Sequence, residues 1–99
     1  MDEYDVQFTP NCLNKLEQIA PLEHIDEALA EVYHVMRTNP HAFNFVPPLT
    51  HWRAAKTKLY VREGVVVQPM TLYFVVKEDQ RIVKIVDVLI RRGFGDLDF

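Results

Sequence analysis

The chain has 99 residues, enough for one domain built around one core. With 48% hydrophobic and 25% charged residues it has the composition of a folded globular protein rather than a disordered one. A net charge of −3 argues against holding nucleic acid by bulk attraction alone, and the single cysteine, Cys12, excludes an internal disulfide.

In chain order, "YDVQF" alternates Tyr4, Val6 and Phe8 against Asp5 and Gln7, the period of a half-buried strand. Thr9 follows as a candidate N-cap, with Pro10 at the first helical position, where its missing N–H costs nothing. Leu13, Leu16 and Ala20 recur at helical spacing until Pro21 interrupts. A second helix is predicted from about Glu23 to Arg37, because Ile25, Leu29, Val32 and Met36 form one apolar stripe. Thr38-Asn39-Pro40 stops it, since the residue before a proline avoids helical geometry. The loop "HAFNFVPPLTHW" carries Phe43, Phe45, Leu49 and Trp52 and is expected to pack down on something.

From Arg53 the pattern is β. "AAKTKLYVREG" alternates as one strand up to a turn at Glu63-Gly64, and "VVVQP" either continues it or makes a short excursion. "MTLYFVVKEDQRIVKIVDVLIRR" is a hairpin around a charged turn at Lys77–Arg81. Its last strand is apolar on both alternating sets, which predicts a central strand, with the first strand able to pair beside it. The expected fold is α+β: an N-terminal strand, a helical hairpin, then a mostly antiparallel sheet of three to four strands in one domain spanning the chain.

Charge is divided unevenly. Residues 1–50 carry two basic and eight acidic groups, and residues 51–99 carry nine basic and six acidic ones. Such a division can separate a basic working face from an acidic back. Lys56, Lys58, Tyr60 and Arg62 alternate along the predicted strand and so share one face, suited either to phosphates and bases or to guarding a sheet edge. Asp87 shares its strand face with Ile85 and Leu89, so a cation partner is expected, with Lys56, Lys58 and Arg91 as candidates. Arg91 and Arg92 fall on opposite faces if that strand runs to its end, and Arg91 is the one placed on the side of Asp87. In "GFGDLDF", Gly93 and Gly95 would let Phe94 fold back onto a site or the core. The four histidines form no i, i+4 pair. Glu27, Glu31 and His34 are expected to make a solvated acidic face, and Cys12 to pack rather than react.

These segments together resemble the RelE/ParE superfamily, the small toxins of bacterial type II toxin–antitoxin pairs. The resemblance covers nearly the whole chain and rests on "YDVQFTP", a helical hairpin, "PPL", "KTKLYV", "TLYFVV" and "IVKIVDVLIRR". It implies metal-independent, cofactor-free cleavage of mRNA on the ribosome, in which a 2′-hydroxyl attacks the adjacent phosphate and cationic side chains stabilise the developing charge. Lys56 and Lys58 match the family's lysine pair, and Arg91 or Arg92 matches an arginine ending the last strand. In that reading Arg62 would be an auxiliary substrate contact, and Tyr60 or Phe94 would stack on a base. Two positions depart from the family pattern: Met70 and Thr71 stand where an arginine is usual, and Phe94 and Phe99 stand in place of a tyrosine. The resemblance also implies an antitoxin partner and admits two other functions, a ParE-like inhibitor of DNA gyrase and a non-toxic interaction module. The acidic, polar start "MDEYDVQF" and the lack of a long apolar run predict a cytoplasmic protein without membrane contact. Homodimerisation is left open.

Overall fold

A computed structural model describes residues 3–48 and 51–90. The first strand, β1 (Asp5–Phe8), leads through Thr9 into α1 (Pro10–Ile19). The Thr9 hydroxyl accepts the Cys12 N–H at 3.4 Å, and Pro10 opens the helix, as the sequence predicts. The predicted second helix is two helices, α2 (Leu22–Ala28) and α3 (Ala30–Thr38), broken at Leu29. The break leaves the apolar stripe intact: Ile25, Leu29 and Met36 are all buried, and Val32 packs against them. A short 3₁₀ turn, Pro40–Ala42, follows.

The remaining strands are β2 (Arg53–Lys56), β3 (Tyr60–Arg62), β4 (Val65–Val67), β5 (Met70–Lys77) and β6 (Ile82–Ile90). Four form one sheet in the order β1-β6-β5-β2, with β1 parallel to β6 and the other two pairings antiparallel. The predicted central position of β6 and the pairing of β1 beside it are both observed. One face of this sheet, through Ala55, Leu72, Phe74, Val83, Ile85 and Val88, makes a single core with Leu16, Ile25, Leu29 and Met36 of the three helices. Fully burying side chains of this size stabilises the fold by about 1.5–3 kcal/mol each.

Two departures from the predicted strands matter for the site. The single strand expected from Ala54 to Gly64 is divided after Lys56, and β3 pairs with β4 as a separate two-stranded sheet. The division has a cause in one cross-strand contact. The Thr57 N–H still bonds the Met70 carbonyl at 2.8 Å, but the Met70 N–H is taken at 2.9 Å by the Thr57 hydroxyl, so the ladder ends there. The β3–β4 turn is Glu63-Gly64, as predicted, with φ of 55° and 80°, the paired positive values of a type I′ hairpin.

The second departure is a bulge. Tyr73 pairs with Asp87 while Phe74 pairs with Ile85, which leaves Val86 as the extra residue on β6. Burial therefore passes from Val83 and Ile85 to Val88, out of step with simple alternation. Asp87 does not face Lys56 or Lys58. Among the described residues no strand flanks β6 beyond Ile85 on the β1 side, and there the Asp87 carboxylate accepts the Val88 N–H and the Lys15 ammonium, each at 2.8 Å. Its predicted pairing is thus corrected to a cation on α1, since the bulge turns its side chain out of the face the alternation implied.

Candidate functional site

Of the predicted site residues, Lys56 and Lys58 come together. They are exposed on either side of Thr57, which is buried at 8% exposure and anchored to Met70 by the two bonds already described. Both lysines border a cleft of about 210 Å³ along the free edge of β2, whose other wall is Ala28, Glu31, Val32, Val35 and Phe43. The edge is partly covered upstream, where the Ala54 N–H donates to the Asn44 carbonyl at 3.2 Å. The site thus joins an apolar floor, one carboxylate and two cations held by a rigid strand end.

Tyr60 and Arg62 lie elsewhere. The split after Lys56 carries them onto the hairpin that packs against α2, where both donate to one carboxylate, Tyr60 Oη to Glu27 Oε1 and Arg62 Nη1 to Glu27 Oε2 at 2.6 Å. His24 Nδ1 lies 3.4 Å from the Tyr60 hydroxyl. The bond to Glu27 raises the Tyr60 pKa above its ordinary value. A second, polar cleft of about 430 Å³ is lined there by Glu23, His24, Glu27, Arg62 and Glu63. Glu27, predicted to belong to a solvated face, is therefore engaged from across the fold.

Arg91, Arg92, Phe94 and Leu49 lie outside the described residues. The described residue that precedes Arg91 on the last strand is Ile90, whose partner is Met70, which in turn bonds Thr57. The chain therefore leaves β6 two strands from the lysines and at the same end of the sheet. Strand β5 carries Met70, fully buried, and Thr71, opposite Lys56, at that end.

The aromatic loop divides over the edge of the sheet, which the sequence did not reveal. Phe43 packs edge-on against buried Phe74 in the core, with ring centroids 5.4 Å apart. The Arg53 guanidinium donates to the Phe43 carbonyl at 2.6 Å and covers the Phe45 ring at 3.9 Å. Trp52 instead lies on Tyr73, with centroids 6.1 Å apart and planes 38° from parallel.

No protein-family model and no curated protein matches the chain. Among solved structures, the chain is similar to the E. coli toxin RelE, determined in the free state as a mutant with two arginines replaced by alanine. That likeness has a TM-score of 0.55 at 16% identity and covers 94% of this chain and 88% of that one. The fold is therefore RelE-like. No described helix is long and apolar enough to cross a membrane.

Proposed function

We propose that this chain is the toxin of a type II toxin–antitoxin pair and cleaves mRNA on the ribosome. Lys56, Lys58 and Arg91 would be directed at the scissile phosphate, and Arg62, Tyr60, Arg92 and Phe94 would be substrate contacts. The carrying observation is the lysine pair: in a RelE-like fold, Lys56 and Lys58 stand exposed on a strand end fixed by Thr57. Cleavage forms a bond from the ribose 2′-oxygen to the adjacent phosphorus and breaks the bond to the 5′-oxygen. Negative charge gathers on the phosphoryl oxygens and the leaving oxygen, and fixed cations beside them stabilise it. Tyr60 and Arg62 would have to exchange Glu27 for RNA to take part. An antitoxin would be the protein partner.

One observation favours a second reading. Strand β5 offers Met70 and Thr71 rather than a cation beside Lys56, which suits a gyrase inhibitor or an interaction module that does no chemistry. Expression of the gene alone in bacteria, with mRNA ends mapped on translating ribosomes, separates the readings. Growth arrest with codon-positioned cuts is expected. Arrest with DNA damage and intact mRNA would assign gyrase as the target, and no arrest would assign an interaction module. Lys56→Ala combined with Lys58→Ala is expected to lower cutting by about two orders of magnitude or more; cutting at the original rate would remove the lysines from the site.

A further inference from the structure

The face of the four-stranded sheet turned away from the helices carries a second arrangement. Along β5, Leu72 and Phe74 are fully buried in the core, so Tyr73 between them projects to the opposite face. There it meets Trp52. Its cross-strand partner on β2 is Ala54, which has no side chain long enough to cover the ring. The register also sets Lys56 opposite Thr71 and Lys84 opposite Val75, so Lys56, Tyr73 and Lys84 occupy one face, each on a different strand. Lys56 and Lys84 stand on strands separated by two spacings, roughly 10 Å, and their partners Thr71 and Val75 are offset by a further ~13 Å along β5, with Tyr73 midway. Two carboxylates are near: Asp87 is held by Lys15, and Asp5, on β1, accepts the Gln7 side-chain amide at 2.9 Å.

We infer that Trp52 and Tyr73 form a stacking platform for a base of single-stranded RNA, with Lys56 and Lys84 taking phosphates on either side. The choice of RNA rests on the proposed function; the platform itself rests on the ring geometry and the sheet register. Aromatic side chains flanked by cations on a sheet face bind single strands with little dependence on sequence, because every base has a π-face.

Trp52 is the chain's one tryptophan, so its fluorescence reports directly on the platform. The probe is an oligoadenylate of about six nucleotides, added to the full chain off the ribosome. Inorganic tripolyphosphate is the control for charge without a base. Saturable quenching by the oligonucleotide and none by tripolyphosphate is expected. Tyr73→Leu should weaken binding at least about five-fold. Lys84→Gln should reduce the slope of log affinity against log salt by about 0.7. With an end-labelled oligonucleotide followed by anisotropy, Trp52→Phe should keep most of the affinity and Trp52→Leu should lose it. Absence of quenching with normal far-UV circular dichroism overturns the inference. So does equal quenching by tripolyphosphate, or wild-type affinity in both Tyr73→Leu and Trp52→Leu. Binding of the oligonucleotide with intact mRNA in cells removes the cleavage reading and leaves the platform. Codon-positioned cutting without oligonucleotide binding removes the platform and leaves the cleavage reading.

Discussion

Thr57 shows how much one side chain can decide. Its hydroxyl substitutes for a backbone carbonyl in accepting the Met70 N–H, which ends β2, releases the chain toward β3 and leaves a lysine exposed on each side. Thr57→Val keeps the shape but removes the acceptor, stranding a buried N–H. That substitution should destabilise the protein by about 1–3 kcal/mol, measured by urea denaturation. A loss below about 0.5 kcal/mol would mean that the hydroxyl is not what satisfies Met70. Tyr33 is the contrasting case. Its hydroxyl is buried without a hydrogen-bond partner among the described residues, and burial pushes its pKa well above the ordinary value.

Among the elements, the β5–β6 turn is tied to the rest of the molecule through Glu78. One carboxylate oxygen accepts the Tyr4 hydroxyl from the approach to β1, and the other meets His41 of the 3₁₀ turn. Arg81, at the end of the turn, donates to the same Tyr4 hydroxyl at 3.1 Å and covers its ring. The Tyr4 hydrogen bond, then His41 and Arg81, hold the Glu78 pKa below the ordinary 4.5. A folded pKa below the unfolded one gives stability that is present above about pH 4.5 and lost as pH falls through the folded value. Glu78→Gln should therefore leave a shallower loss of stability on acidification below that pH than the wild type shows. Parallel acid-denaturation curves for the two proteins would dismiss the latch. The same contrast of local and distant causes explains what the sequence discloses. The Thr9-Pro10 helix start, the Glu63-Gly64 turn and the doubly apolar β6 follow from neighbouring residues and were legible. The division at Thr57 and the bulge beside Asp87 were not, because each involves contacts with residues far along the chain, with Met70 and with Lys15. The exposure of Lys56 and Lys58 could be read from alternation, whereas the seat of Trp52 on Tyr73 depends on how a loop crosses a sheet edge.

For the molecule as a whole, the uneven charge of the sequence becomes a difference between faces. The acidic first half supplies the helices, where Glu17, Glu23, Asp26, Glu27 and Glu31 are exposed, and the basic second half supplies most of the sheet. A net charge of −3 would seem to disfavour any polyanion. Range decides otherwise. Exposed charges are screened over about 8 Å at physiological ionic strength. Apart from Glu31, which borders one cleft with Lys56, the exposed helical carboxylates act on a ligand at the sheet face only across solvent, and the local lysines govern binding there. Glu17→Gln with Asp26→Asn removes two exposed helical charges and leaves the Glu27 pair with Tyr60 and Arg62 in place. The double variant should bind oligoadenylate within about two-fold of the wild type at ~0.15 M salt. At ~0.01 M salt, where the screening length grows to about 30 Å, it should associate measurably faster. Stopped-flow Trp52 fluorescence at the two salt concentrations checks both limits. A large gain in affinity at the higher salt would mean that the anion is seated near the helices rather than on the sheet face.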